Sequence, residues 1–186
     1  GYIVFYKPFY YLQNLEHIFY VWGGGMSFHG GFLGVAVAAI LFAKRRKLNF
    51  LKFCDMLSCV APIGLFFGRI ANFINGELVG KITNVSWGVI FPNFDNATRH
   101  PSQIYQAFFE GLVLLIIMNL ILFKNNYKTG TCSYMFLILY GVFRIFSEFF
   151  REPDAQIGYL FNLISMGTML SFFMILAGII IFLKRR

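Results

Sequence analysis

Five apolar runs, at residues 28–43, 53–67, 106–123, 131–150 and 159–183, divide this chain, and short polar connections separate them. Inside a bilayer every backbone N–H and C=O must find its partner within the segment, and a crossing helix needs about 20 predominantly apolar residues. The runs therefore predict an all-α polytopic integral membrane protein with about five transmembrane helices. The first two runs are short for spans, so their ends must extend into the polar flanks or the helices must stand nearly upright. With 58% apolar and 13% charged residues and a mean hydropathy of +0.66, a soluble core is excluded. The length of 186 residues fits a single membrane-embedded domain over residues 1–186.

The formal charge of +8 invites a nucleic-acid partner, but its placement argues against one. Lys44, Arg45, Arg46, Lys47 and Lys52 fall in the first connection, Lys124 and Lys128 in the third, and Lys184, Arg185 and Arg186 at the end, with no acidic residue among them. Such clusters mark cytoplasmic helix ends. The alternate connections mix arginines with Glu77, Asp95, Glu148, Glu152 and Asp154 and belong on the other side, so a polar segment at residues 68–105 is expected on the outer face. Residues 85–93, with Gly, Trp and Pro, read as a strand-like or looped surface stretch, and Trp22 and Trp87 as interface anchors. Cys54, Cys59 and Cys132 lie in or beside apolar segments without metal-ligand spacing and read as buried small hydrophobes; neither a metal nor a cofactor is expected.

This topology brings His29, Arg69, His100 and Arg144 to the same outer leaflet. An arginine inside a membrane is costly and marks a functional site by default. Two converging on one leaflet point to an anion, and the anion most available there is a phospholipid phosphate. In GRIANFINGELVG, residues 68–80, Arg69, Asn72 and Gly76 share a helical face, with Glu77 and Gly80 just beyond. They form either a phosphate clamp, with a glycine-loosened turn that lets backbone donors approach the ligand, or a helix end with a snorkelling arginine. Two amides, Asn72 and Asn75, favour the clamp, because unpartnered amides are expensive in lipid. His29, in SFHGG, is either an interface residue or a base poised near neutral pH. His100, in RHPSQIYQ, opens a helix at Pro101 and Ser102 and either orders that turn or faces the site. In YGVFRIFSEFFREPD, Tyr140, Arg144, Glu148 and Arg151 stack down one stripe. Arg144 and Glu148 are either an internal ion pair that eases insertion or part of an anion site that Arg151 leaves with surplus positive charge.

These four motifs, in this order and over essentially the whole chain, resemble the prolipoprotein diacylglyceryl transferase family of the bacterial inner membrane. The resemblance implies a multi-pass protein of the cell inner membrane with its active site toward the periplasm. It implies transfer of the diacylglyceryl group of phosphatidylglycerol to the lipobox cysteine thiol of a prolipoprotein signal peptide, forming a thioether and releasing glycerol phosphate, the first step of lipoprotein maturation. By the same resemblance Arg69 and Arg144 hold the phosphate, and His29 is the base toward the thiol with His100 as the second choice. Asn72, Glu77 and Gly80 shape the head-group site, and Tyr140, Glu148 and Arg151 orient Arg144 or the peptide.

Two departures stand out. Where the family reads H-P-S-Q-x-Y-E this chain has Gln106, and Glu110 one turn later is the nearest substitute for the missing charge. Members also normally carry about two further spans before the region matching Gly1, so a truncated, inactive homologue is one alternative. The other is a membrane protein that moves an anion or lipid along a pathway lined by these arginines.

Overall fold

The computed structural model describes residues 8–14, 16–17, 28–124, 127–153, 159–160 and 164–185, and Trp22 lies outside them. The chain divides into two compact units, Gly1–Phe53 and Cys54–Arg186. The first holds a short helix α1, Pro8–Gln13, and helix α2, Phe28–Arg45. α2 closes on Lys47, whose φ of 53° lets the Lys47 and Leu48 N–H groups bond back to the carbonyls of Lys44 and Ala43. Two residues later Asn49 starts helix α3, Phe50–Asn75, accepting the N–H groups of Leu51 and Lys52 on its side-chain oxygen. This tight reversal lies in the basic cluster.

In the second unit, α4 runs continuously over Ser102–Leu122, α5 over Thr131–Glu148 and α6 over Met166–Arg185. A helix thus stands at each of the five apolar runs. Among the described residues three are long and apolar enough to cross a membrane, Phe50–Asn75, Ser102–Leu122 and Met166–Lys184. Boundaries differ from the sequence expectation in two places. The second run continues as helix to Asn75, which brings Arg69 inside α3 rather than at its end. The last run begins with a small hairpin, β3 Tyr159–Leu160 pairing with β4 Ile164–Ser165, before α6 starts at Met166.

Burial is inverted relative to a soluble protein. Phe67, Ile74, Leu120 and Phe123 are largely exposed, whereas Asp55, Gln103, Gln106, Glu110 and Ser147 are completely buried. That is the pattern of helices bathed in lipid that turn their polar groups toward one another. The apolar core of this unit, Cys59, Leu114, Met118 and Cys132, lies toward one end of α3, α4 and α5. Close approach is achieved by glycine: a Cβ on Gly141 would stand 2.7 Å from Ile175, and one on Gly178 2.7 Å from Ile138, so α5 and α6 meet backbone to backbone.

Asp55 fastens the core end of α5. Its carboxylate accepts the N–H of Gly130 at 2.5 Å and both the N–H and hydroxyl of Ser133 at 2.8 Å. With no cation beside it among the described residues, this buried carboxylate is tolerated because it faces the positive end of a helix dipole.

The other end of the unit is laced by short strands. α3 stops at Gly76 (φ +69°), whose N–H bonds to the Phe73 carbonyl while the Glu77 N–H returns to Asn72. Residues 79–83 then run between residues 98–100 and 150–152, through bridges Gly80 to Arg151 and Ile82 to Arg99. As expected from the sequence, residues 85–93 include a surface strand, β1 Val89–Ile90, paired with β2 Thr98–Arg99. Trp87 beside it is 61% exposed and donates its indole N–H to the Tyr105 hydroxyl at 2.7 Å.

Candidate functional site: a chain of arginines and glutamates

At the end opposite the Asp55 cap, three helices direct charge inward. Arg69 from α3 donates to Glu110 of α4 at 3.2 Å, and Arg144 from α5 lies 3.6 Å from the other oxygen of the same carboxylate. Arg144 also meets Glu148 at 2.9 Å, and Glu148 lies 3.7 Å from Arg151. Arg69, Glu110, Arg144, Glu148 and Arg151 thus form one unbroken series, with three guanidiniums against two carboxylates. Glu110 is fully buried and Arg69 the most accessible at 16%. Burying five charged groups together is tolerated because each of them meets an opposite charge. Tyr140, one turn before Arg144, places its side chain within electrostatic reach of both Arg69 and Glu110.

Glu110 owes its position to an irregular helix. Within α4 the segment Ala107–Val113 is a π-helix, and Glu110 is its middle residue. Wide turns of this kind are frequent at functional sites. Gly111 beside it allows α3 to approach, since a Cβ there would stand 2.7 Å from Phe66. From the far side Gly167, near the start of α6, leaves room for the Arg144–Glu148 pair: a Cβ on it would lie 3.0 Å from both Arg144 Nη2 and Glu148 Oε2.

The residues singled out in the sequence divide into three groups. Arg69, Tyr140, Arg144, Glu148 and Arg151 come together in the series. Gly80 and His100 frame it through the backbone, because Gly80 pairs with Arg151 and a Cβ on Gly80 would strike the His100 carbonyl. The His100 ring lies between Tyr105 and Phe150, with Nδ1 3.2 Å from the Tyr105 hydroxyl. Asn72 and Glu77 do not join the series. Glu77 is exposed, and the Gly76 and Glu77 N–H groups cap α3, so the backbone donors that a loosened turn was expected to offer a ligand are already engaged. The Asn72 amide has no partner among the described residues. His29 stands in α2, and its side chain lies outside the described residues.

A second, outer cluster escaped the sequence reading. Arg99 grips Asp95 with Nε and Nη2, the closest contact being 2.6 Å, and donates from Nη1 to the Gly80 carbonyl at 2.9 Å and to Glu152 at 3.1 Å. Hydrogen bonding from Arg99 holds the Asp95 carboxyl below its ordinary range, and Asp95 in turn raises Arg99. The guanidinium also sits 4.8 Å over the Phe94 ring. This contact ties the polar segment to the stretch just after α5.

Comparison with known proteins follows the same lines. The model of a family described as prolipoprotein diacylglyceryl transferase matches residues 1–184. A Rickettsia bellii protein named phosphatidylglycerol–prolipoprotein diacylglyceryl transferase is 55% identical over 186 residues, covering 99% of this chain and 71% of its own length. Proteins of the same name from Rickettsia felis and Ehrlichia ruminantium are 54% and 51% identical over 96% and 97% of this chain, and it spans 70% and 71% of theirs.

Proposed function

This chain belongs to the prolipoprotein diacylglyceryl transferase family, and from that premise we infer that its arginine–glutamate series is where the lipid phosphate is held during transfer. The reaction moves a diacylglyceryl group from phosphatidylglycerol to the thiol of a prolipoprotein's lipobox cysteine. A sulfur–carbon bond forms as the bond between that carbon and the phosphate oxygen breaks. The thiol proton passes to a base, and glycerol phosphate departs with the electron pair. These relatives do not favour the transporter reading.

The observation that carries the assignment is the shared carboxylate: Glu110 holds Arg69 and Arg144 on either side of one point in a buried site. Guanidiniums fixed in a low-dielectric environment stabilise charge developing on a leaving oxygen without reorganising. Arg69 and Arg144 receive the phosphate, and their charge also lowers the pKa of an approaching thiol. Tyr140, Glu148 and Arg151 orient Arg144. Asn72 offers its amide to the head group, Glu77 lies at the rim, and Gly80 sets the frame. His29 is the candidate base and His100 the second choice. We place the site toward the periplasmic side of the bacterial inner membrane, in a single domain with five spans, because the basic connections all fall at the opposite helix ends.

The deciding experiment is mass spectrometry of a lipobox peptide incubated with the protein in phosphatidylglycerol membranes, with a cysteine-to-serine peptide as control. A cysteine-dependent gain of one diacylglyceryl group is expected, and Arg69→Ala or Arg144→Ala should abolish it. Unchanged transfer in either variant removes the phosphate assignment. Near-full turnover by His29→Gln makes His29 a scaffold residue rather than the base.

A further inference from the structure

Beside the charged series lie polar atoms that it does not use. Gln103 Oε1, both polar atoms of the Gln106 amide, and Ser147 Oγ are buried and have no hydrogen-bond partner among the described residues. All three residues are completely inaccessible in the folded chain. Burying an amide or hydroxyl unpaired is expensive, so a cluster of such atoms implies a ligand that pairs them. The Gln103 side chain is not adrift: its Nε2 donates to the Glu77 carbonyl at 2.6 Å, which fixes Oε1.

The helix register shows where these atoms stand. α4 and α5 run antiparallel, with Met118 and Cys132 together at one end and Glu110 beside Arg144 at the other. Phe109 meets both Phe143 and Phe146, the latter with ring centroids 5.1 Å apart. One turn further out on each helix, Gln106 comes level with Ser147. The neutral groups therefore border the Glu110–Arg144 contact on its outward side. An amide and a hydroxyl there both donate and accept. A plain alkyl group would leave every one of these atoms unpaired, and an ammonium would leave the Gln106 N–H unpaired. Hydroxyls on a carbon chain attached to the phosphate satisfy both roles.

We propose that Gln106 and Ser147, with Gln103 Oε1, form a hydroxyl-reading subsite that holds the glycerol head of the donor lipid and sets its head-group selectivity. The subsite rests on the transferase reading above, since its ligand is the group attached to the phosphate that Arg69 and Arg144 receive. It gives Gln106 a use of its own: a carboxylate at that position only accepts, whereas the amide also donates.

The test is an internal competition. Membranes containing equal amounts of phosphatidylglycerol and phosphatidylpropanol, with acyl chains of different mass, are given to the full chain with a lipobox peptide. The mass of the thioether product reports which donor was used, independently of how much enzyme is folded. The unmodified chain should favour the glycerol-headed donor by about 10-fold or more. Gln106→Met should bring the ratio to within about 3-fold of unity, the loss falling on the glycerol-headed donor, and Ser147→Ala should lower it part of the way. A ratio unchanged in both variants, or equal use of the two donors by the unmodified chain, overturns the subsite while leaving the transferase intact. No product from either lipid with the unmodified chain overturns the transferase reading and the subsite with it. If Gln106→Met yields no product at all, the Ser147→Ala ratio decides.

Discussion

Replacing Glu110 with Gln removes one charge from the point where two arginines meet. The carboxylate is fully buried, 3.2 Å from Arg69 and 3.6 Å from Arg144. At an effective dielectric of about 20, two unit charges about 4 Å apart attract by about 4 kcal/mol, and desolvation offsets much of this. Removing one member of a buried pair nevertheless costs about 3–5 kcal/mol, because the cations left behind stay buried. For a chain of 186 residues each kcal/mol moves the midpoint by about 2–4 °C, so Glu110→Gln should melt about 6–20 °C lower. The assay is thermal unfolding in detergent, run as a double-mutant cycle with Arg69→Gln. The two changes together should cost less than their sum by about 1–3 kcal/mol, since the second removes a charge the first left uncompensated. Anionic lipid should raise the midpoint of Glu110→Gln more than that of the unmodified chain, because it neutralises the uncompensated pair. A midpoint within about 2 °C of the unmodified chain, with additive single changes, would refute the shared-carboxylate argument.

Other perturbations separate the site from its supports. Asp55→Ala orphans the donors of Gly130 and Ser133 and should cost about 3 kcal/mol of stability by thermal melting, with the donor preference in the lipid competition unchanged. Gly167→Ala introduces a Cβ 3.0 Å from Arg144 Nη2 and Glu148 Oε2; turnover should fall about 10-fold, as displaced catalytic geometry does, with little change in melting. Asp95 has a depressed folded pKa, so its contribution is fully present above the unfolded carboxyl value of about 3.9 and fades as pH falls through the lower folded value. Hydrogen-exchange protection factors over residues 76–101, corrected for the intrinsic pH dependence of exchange, should therefore be flat near neutrality and fall below about pH 4, and Asp95→Asn should remove that acid step.

The apolar runs and the stripe of Tyr140, Arg144, Glu148 and Arg151 were legible because each is a local pattern with a helical period. What lay hidden depends on contacts between distant segments. Glu110 read as a minor substitute for the acid absent at Gln106, yet it is the group on which Arg69 and Arg144 converge, from 41 positions away in the first case. Its use also depends on the π-helix, which leaves no periodic mark in a run as uniformly apolar as residues 106–123. Asp55 gave no local signal in the sequence, because its partners lie 75 and 78 positions along the chain. The Arg99 cluster was missed for another reason: in sequence Arg99 is only the residue before a helix-opening His-Pro, and its role appears once residues 79–83 are paired on both edges.

The wide turn at Ala107–Val113 can also be read as a matter of length. Such a segment holds one more residue than the α-helix it interrupts, and its wider turn absorbs the surplus, so the two halves of α4 keep their facing sides. On one side of it lies Gln106, and at its centre Glu110 faces the arginines. On the other, Leu114 and Met118 face Cys59 and Cys132. Forcing the same residues into a regular α-helix would turn one half against the other by about 100°. Either the acid would leave its arginines or the core would open, so lineages that retain the chemistry should retain the wide turn even where its apolar residues drift.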